Sequence, residues 1–238
     1  MTRIAHARFS CLAVFFAGFA GCAEVDQFGE PVGATVEALT TVLDTGFESN
    51  PLGPLGAPWS VTTSGSGKAT VINTSDHGHV LSLSHGAERD FSTSVLPLSY
   101  SGDSFVFEFA VKPKTAQSAW TLTLSSPKEG YHTPRFSVGF SSFSKDLTVQ
   151  SAATPGGGTC GPLPPNRWST VSLTLRPQDT RHVVDVRVNG AITSACTGVS
   201  TKLRVATQLS LMDNLQPNAN SETSFDDIRL RAGADGEL

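Results

Sequence analysis

The sequence is poor in charged residues, in sulfur-containing residues and in long apolar runs. Charged residues make up 16% of the 238 positions, and there are four cysteines and two methionines. No long stretch places apolar residues at i, i+3, i+4 and i+7, which excludes a mainly helical fold. An internal repeat of about 20 to 50 residues is also absent, which disfavours a propeller or a solenoid.

The balance of charge excludes one class of partner. Seventeen lysines and arginines stand against 21 aspartates and glutamates, which gives a net charge of −4. Loss of residues 1–21 as an export signal would remove Arg3 and Arg8 but no acid, leaving 15 against 21 and a net charge of −6. A chain of this sign is a poor ligand for phosphate backbones, so we expect no nucleic acid partner.

The amino terminus has the pattern of an export signal. Arg3 and Arg8 precede an apolar run at residues 11–20. The run is too short to span a bilayer but has the length of a signal-peptide core. The sequence therefore predicts an exported protein.

The apolar run ends in Phe-Ala-Gly-Cys at positions 19–22, which resembles the lipobox of bacterial lipoproteins, although Phe replaces the usual aliphatic residue. The resemblance implies that residues 1–21 form a lipoprotein signal peptide and that Cys22 carries the lipid anchor. Within that family, Ala23 after the cysteine favours the outer membrane. Ordinary secretion by the common signal peptidase, which also accepts small residues, is the alternative.

Two cysteines remain for the mature chain once Cys11 leaves with the signal and Cys22 is lipidated. Cys160 and Cys196 lie on either side of a pair of predicted strands, in sequence typical of loops. An even pair in an oxidising compartment predicts a disulfide, and a loop of this length restricts the unfolded chain by roughly 3 to 4 kcal/mol.

The chain divides into a tether and one folded domain. Residues 22–40 mix acids with Gly and Pro and lack periodicity, as expected of a flexible linker. Residues 41–232 carry alternating apolar and polar positions, and residues 233–238 form a tail. The clearest case is Ser104–Lys112, in which three phenylalanines and a valine share one face and predict a core strand.

Short strands separated by turn signals predict an all-β sandwich of antiparallel sheets. We expect strands at Val42–Glu48, Ala69–Ile72, Val80–Ser84, Ser94–Leu98, Ser104–Lys112, Trp120–Ser125, Arg135–Phe143, Leu147–Gln150, Trp168–Leu175, Val183–Val188, Thr207–Met212 and Thr223–Leu230.

The stretch from Trp168 to Gly190 is the most informative in the chain. Its two halves alternate apolar and polar residues around a polar gap, and Asn189-Gly190 supplies the positive-φ pair of a tight hairpin turn. A Trp that opens one strand and a Val-x-Val-Asn-Gly that closes the next resemble the laminin-G-like and concanavalin A-like lectin domains. The resemblance implies an antiparallel jelly-roll β-sandwich that binds a polysaccharide or a glycoprotein glycan at a cell surface.

A second resemblance concerns acids near the two ends of the domain. An early Phe-Glu and a terminal Asp-Asp before an apolar strand recur in jelly-roll carbohydrate-binding modules, where they often bind structural calcium. Here these residues are Glu48, Asp226 and Asp227. First and last strands of a sandwich lie side by side, and calcium takes oxygen ligands from several segments. A hydrated acidic strand end without an ion is the alternative.

Three histidines lie close together in the sequence but predict no metal site. His77 and His79 flank Gly78 in a stretch typical of a turn, and His85 follows the next predicted strand. We interpret them as solvated loop residues, because no spacing of the His-Glu-x-x-His type is present.

Sugar recognition combines an aromatic ring with groups that hydrogen-bond to hydroxyls. The candidates are Trp120, Tyr131, His132, Arg135 and Phe143. Tyr131 and His132 lie in a loop between two predicted strands, where functional side chains are common. Trp120 opens a strand, and large aromatics at such positions more often belong to the core.

The predicted function is non-catalytic carbohydrate binding or adhesion at the bacterial envelope. The chain lacks the Glu-x-Asp-x-x-Glu motif by which endoglucanases of this fold place two carboxyl groups on one strand. A polysaccharide-cleaving enzyme is the alternative, in which Tyr131, His132 and Arg135 would converge in a groove. A purely structural envelope protein is a third possibility, since fold does not settle function.

Overall fold

The computed structural model describes residues 39–87, 89–99, 104–115, 117–126, 135–141, 143–151, 154–213 and 220–233, with the backbone alone for 154–156. The predictions for the signal peptide, Cys22, Tyr131 and His132 lie outside these residues. Within these ranges no helix has the length and the hydropathy needed to cross a membrane.

The described residues form two stacked antiparallel sheets, as the sequence predicts. The strands are β1 (Thr40–Thr45), β2 (Gly53–Pro54), β3 (Ser60–Ser64), β4 (Lys68–Thr74), β5 (Gly78–His85), β6 (Phe91–Pro97), β7 (Ser104–Pro113), β8 (Trp120–Ser125), β9 (Arg135–Phe140), β10 (Asp146–Ser151), β11 (Thr154–Pro162), β12 (Ser169–Gln178), β13 (Arg181–Val188), β14 (Ala191–Ile192), β15 (Val199–Thr201), β16 (Gln208–Asp213) and β17 (Ser221–Gly233).

Sheet A has ten strands in the order β14-β13-β12-β7-β17-β5-β4-β2, with β1 paired to β17 and β15 paired to β13. Sheet B has seven strands in the order β11-β10-β9-β8-β16-β6-β3.

The core lies between the sheets and is built by the period-two alternation of each strand. In β7, Phe105, Phe107 and Phe109 are at most 1% exposed, while Glu108 and Lys112 point outward. This confirms the face assignment made for the strand.

The hairpin predicted around Asn189 has two turns instead of one. Strands β12 and β13 pair from Val171–Val188 to Gln178–Arg181, so Asp179 and Thr180 form their turn. Asn189 and Gly190, with φ of 50° and 80°, form the next turn, between β13 and β14. The Asn189 side chain accepts a hydrogen bond from the Thr170 N–H at 2.9 Å, which ties this second turn back to β12.

Strand β17 contains a bulge that sets the orientation of its acids. The register shifts between Asp226 and Arg229, and Asp227 has a φ of 48°. The extra residue lets both Phe225 and Ile228 point into the core, where each is fully buried. The bulge lies where the neighbour of β17 changes from β5 to β1, which brings Asp226 and Asp227 next to the end of the first strand.

The disulfide between Cys160 and Cys196 is confirmed, with the two Cα atoms 5.4 Å apart. The prediction that Cys160 lies in a loop is wrong, because residues 154–162 form the edge strand β11. Its glycines allow the backbone to approach its neighbours: a Cβ on Gly158 would lie 2.3 Å from the carbonyl oxygen of Ala195. The glycine run therefore serves close packing beside the disulfide.

Candidate functional site

The outer face of sheet B is polar and carries few charges along the described strands. Along the described strands of this face, the charged outward residues are Arg135 and Asp146, at the starts of β9 and β10. The central outward positions carry hydroxyl or amide side chains, apart from one glycine, one methionine and one valine. They form two rows across the sheet: Thr148, Gly139, Thr121, Met212 and Thr93 in the first, and Gln150, Ser137, Thr123, Ser210 and Val95 in the second.

A shallow concavity of about 160 Å³ lies on this face over β8, β9 and β10. Gly139 leaves room at its centre, and the hydroxyls of Thr121 and Thr148 and the amide of Gln150 line it. The turn after β9 adds Ser141 to the rim, and Phe143 in the same turn is 72% exposed. The Phe143 N–H donates to the Ser141 Oγ at 3.3 Å, so this exposed aromatic residue belongs to the turn at the rim of the concavity.

Trp120 does not belong to the exposed surface, so its prediction as a sugar-stacking residue is wrong. Its side chain is fully buried and meets Phe109 and Phe225 edge to face, with ring centroids 5.9 and 5.4 Å apart. A strand that alternates strictly turns Trp120 inward together with Leu122. Trp120 therefore forms the floor beneath the concavity but cannot stack on a ligand.

Of the remaining predicted sugar ligands, the structure describes Arg135 and the exposed Phe143. Arg135 is exposed at the start of β9 and pairs with Ser125 of β8. Tyr131 and His132, which precede it in the chain, lie outside the described residues. Their predicted role stays a prediction.

A second cluster covers the outer face of sheet A. The His77 ring stacks on the Trp168 indole with centroids 4.1 Å apart, and the Trp168 Nε1–H donates to Asp76 Oδ2 at 3.0 Å. Lys112 donates to the same oxygen at 2.8 Å and lies 5.8 Å from the centroid of the indole ring. These contacts hold the β4–β5 turn against β7 and β12.

The charge of Asp76 is stabilised by this cluster. The hydrogen bond from Lys112 is the main reason that the pKa of Asp76 falls to about 2, and the Trp168 N–H adds to it. Asp76 is therefore ionised throughout the neutral and mildly acidic range.

The cluster continues into a group of possible metal ligands. His77, Asp226 and Asp227 each offer a ligand atom, and these atoms lie within 4.8 Å of one another. His77 Nδ1 is 2.9 Å from Asp226 Oδ2, while the buried Asp226 Oδ1 has no hydrogen-bond partner. Burial raises the pKa of Asp226 above its ordinary value. A buried oxygen without a partner is what a bound cation would satisfy.

Only two of the three predicted calcium ligands belong to the group of possible metal ligands among the described residues. Asp226 and Asp227 are adjacent on the bulge, whereas Glu48 packs against Gly78 and accepts a hydrogen bond from the His79 N–H at 3.2 Å. His77 takes the third place in the group. The prediction that His77 is solvated missed this contact, because the acids beside His77 lie in a strand about 150 residues later and sequence spacing does not reveal such a pairing.

The prediction that all three histidines are solvated is wrong for His85. It ends β5 with a fully buried side chain, and its Nδ1 lies 2.8 Å from Oδ2 of the equally buried Asp213 in β16. Ser221 donates to the other carboxylate oxygen of Asp213 at 2.6 Å. These contacts join sheet A to sheet B at one end of the sandwich and have a structural role.

Comparisons with known proteins identify the architecture. No protein-family model matches the sequence, and no curated protein matches it significantly. A Bacillus licheniformis β-glucanase superposes with a TM-score of 0.52 and 13% identity, over 82% of this chain and 98% of the glucanase. The fold is a concanavalin A-like jelly roll.

Two further solved structures share this jelly roll. Domain 4 of an extracellular arabinanase from Geobacillus stearothermophilus, in complex with arabinotriose, has a TM-score of 0.51 and 15% identity over 83% of this chain and 95% of that domain. A sialidase has a TM-score of 0.61 and 9% identity over 82% of this chain, but the match spans 19% of the sialidase. At these identities the likeness establishes the fold.

Proposed function

We propose that the protein is a non-catalytic carbohydrate-binding or adhesion protein of the bacterial envelope. Its sugar site is the concavity on the outer face of sheet B together with Phe143. The observation that carries the proposal is the uncharged concavity lined by Thr121, Thr148 and Gln150. The 72% exposed Phe143 lies in the turn that contributes Ser141 to its rim.

The chemistry of this surface suits a neutral sugar. The apolar face of a pyranose or furanose ring stacks on an aromatic side chain, and its hydroxyls exchange hydrogen bonds with hydroxyls and amides. The absence of charge from the central outward residues of the described strands lowers the penalty for removing water from the surface. The arabinotriose complex of the arabinanase domain supports the same class of ligand on this fold.

Non-catalytic binding is supported by the distribution of carboxylates. Glycoside hydrolysis requires two carboxyl groups on either side of the scissile bond. On the described strands of sheet B, Asp146 is the outward acid, at the rim, and Asp213 is buried beside His85. We therefore expect no release of reducing ends or unsaturated products when the protein is incubated with alginate or laminarin.

We propose further that the protein is exported and anchored through Cys22. The disulfide supports an oxidising compartment, because such bonds persist outside the cytoplasm. Mass spectrometry of the mature amino terminus tests the anchor. A diacylated Cys22 is the expected result, and an unmodified terminus at residue 21 or 24 would indicate ordinary secretion.

The sugar site is tested by a matched pair of substitutions. Phe143→Ala removes the exposed ring from the turn at the rim of the concavity, whereas Leu52→Ala removes a 57% exposed apolar side chain that follows β1 in the chain. On a glycan array followed by calorimetry, Phe143→Ala should weaken the best neutral ligand by roughly tenfold, as loss of an aromatic anchor does. Equal affinity of the two variants would overturn the proposed site.

A cation is the second candidate ligand, favoured by the unpartnered Oδ1 of Asp226. The residues present fit a divalent ion: Asp226 and Asp227 offer the oxygen ligands that calcium prefers, and His77 adds a nitrogen that suits zinc. We propose that such an ion stabilises the fold by neutralising the buried carboxylate and does not contact the sugar. Glu48 is a neighbour of this site and not a member of the three-ligand group.

A further inference from the structure

A basic concavity of about 610 Å³ lies at the end of the β12–β13 hairpin, apart from both sites described above. Arg181, Lys202 and Arg204 contribute three cations to its lining, and Thr180, Ser200 and Thr201 contribute hydroxyl groups. Its volume is that of a pocket for one or two sugar units. Neither the sugar site on sheet B nor the ion cluster on sheet A includes these residues.

The backbone fixes the direction of the three cations. Pairing of His182 with Thr201 lays β15 along β13, so the hairpin turn and the segment after β15 face each other. In that segment Leu203 is fully buried, and its N–H donates to Thr201 Oγ1 at 3.0 Å. Because Leu203 points inward, Lys202 and Arg204 on either side of it point outward.

His182 anchors the hairpin side in the same way. It is 8% exposed, while Arg181 before it is exposed. Three cations from two different segments therefore line one concavity, each next to a buried residue in the chain.

The cations of this concavity lack the acidic partners that two lysines on and beside β7 have among the described residues. Lys112 and Lys114 each have an acid at 2.8 Å. Among the residues that the structure describes, no salt bridge involves Arg181, Lys202 or Arg204. The described residues that line the concavity include no acid, and Asp179 in the hairpin turn is the nearest acid in sequence. Like charges held together in an otherwise acidic protein favour an anion from solution.

We propose that this concavity is a second carbohydrate subsite that binds the carboxylate of an acidic sugar through Arg181, Lys202 and Arg204. The inference rests on the proposed carbohydrate function. The three hydroxyl side chains in the lining can exchange hydrogen bonds with the hydroxyls of a sugar. The guanidinium groups of Arg181 and Arg204 offer the paired donors that match a carboxylate. The concavity would then bind a polymer of uronic acid units, independently of the neutral sugar bound on sheet B.

The test compares two triple variants of the full chain in calorimetry with polygalacturonate. Arg181→Gln/Lys202→Gln/Arg204→Gln should weaken binding by roughly tenfold at low salt. It should also reduce the dependence of affinity on salt, because screened charge pairs are lost. The control, Lys68→Gln/Arg167→Gln/Arg187→Gln, removes the same charge from exposed positions outside the concavity and should change affinity by less than about twofold.

The outcomes separate this subsite from the proposed function. An equal loss in both triple variants, or no loss in the first, overturns the subsite. Binding of a neutral glucan but not of polygalacturonate also overturns it, while the sugar site on sheet B stands. Anionic vesicles of phosphatidylglycerol that compete at this site would assign it to a lipid headgroup and would equally overturn it. Thermal denaturation of each variant confirms that it is folded.

Discussion

The outer faces of the two sheets share one alternation of buried and outward residues but differ in what the outward side chains do. On sheet A, Lys112 and Lys114 pair with acids at 2.8 Å, and Trp168 stacks on His77 and donates to Asp76. On sheet B, the central outward residues carry no formal charge and line a concavity open to solvent. Charged and aromatic side chains of sheet A are thus engaged with one another. On sheet B the contacts are hydrogen bonds between uncharged groups, such as the one that Thr148 Oγ1 donates to the Gly139 carbonyl at 3.2 Å, and the Gln150 side chain is exposed.

This difference separates stability from binding. Side chains that contact one another across strands contribute to the free energy of unfolding, while exposed groups without such contacts contribute little. Apart from the basic concavity at the β12–β13 hairpin, we therefore expect substitutions on the outer face of sheet A to change stability and substitutions on sheet B to change glycan affinity.

The largest expected effect is that of a cation on sheet A. An ion that binds the folded state alone raises the free energy of unfolding by about 2.7 kcal/mol at 100 times its dissociation constant. We expect a rise in melting temperature with CaCl₂ or ZnCl₂ that EDTA reverses, and unchanged glycan affinity. Asp226→Asn should abolish the rise and Asp146→Asn should keep it. A full rise in Asp226→Asn would exclude the site.

Asp226→Asn also tests, in the absence of metal, how the buried Asp226 carboxylate affects the free energy of unfolding. Because burial raises the pKa of Asp226, the native state binds more protons than the unfolded state above pH 3.8. Ionised Asp226 therefore lowers stability as the pH rises through its native pKa. In EDTA at neutral pH, Asp226→Asn should be at least as stable as the wild type by urea unfolding, and a lower stability would contradict this account.

Trp168→Ala should destabilise the protein by about 2 kcal/mol, less than the loss of a fully buried aromatic residue. The substitution removes the stack on His77 and the hydrogen bond to Asp76. Phe143→Ala is the control on sheet B and should change the free energy of unfolding by less than about 0.5 kcal/mol, because Phe143 is 72% exposed. Urea unfolding measures both. A loss of glycan affinity in Trp168→Ala would break the separation of the two faces.

Gln150→Ala should lower glycan affinity by roughly fivefold, the loss of about one hydrogen bond, without change in the melting temperature. Gln150 lines the concavity on sheet B and is exposed. Gln117→Ala, at an exposed position between β7 and β8, is the matched control and should bind as the wild type does. If Gln150→Ala binds normally but melts earlier, sheet B has the structural role that we assign to sheet A.

Local patterning was sufficient to predict the sandwich. The alternation of apolar and polar residues in β7, β8 and β12 indicates which side of each strand faces the core, and the Asn189-Gly190 pair indicates a hairpin turn. Strands without that signal were missed. Strand β3 is exposed along nearly its whole length, and β11 is rich in glycine because it packs closely against the chain near Cys196.

The site was predicted less well because it depends on pairings between distant segments. The bulge at Asp227 places the Asp226 carboxylate in contact with the His77 ring. The sequence alone does not indicate which of the two adjacent acids points toward that ring. Trp120 illustrates the same limit. Its residue type suits sugar stacking, but the side of the strand on which it lies decides that it packs against Phe109 and Phe225.

The smallest effect concerns acid sensitivity. The pKa of Asp76 is lowered to about 2 by Lys112, so its contribution to stability is complete above pH 3.8 and is lost as the pH falls through 2. Asp76 is 42% exposed, so solvent screening limits the contribution to less than about 1 kcal/mol. Asp76→Asn should therefore show a smaller drop in stability between about pH 5 and pH 2.5 than the wild type, measured by urea unfolding. Asp146→Asn, at the rim of sheet B, should show the full drop, and equal drops in both variants would mean that the ion pairs of sheet A contribute no more to stability than the open face of sheet B.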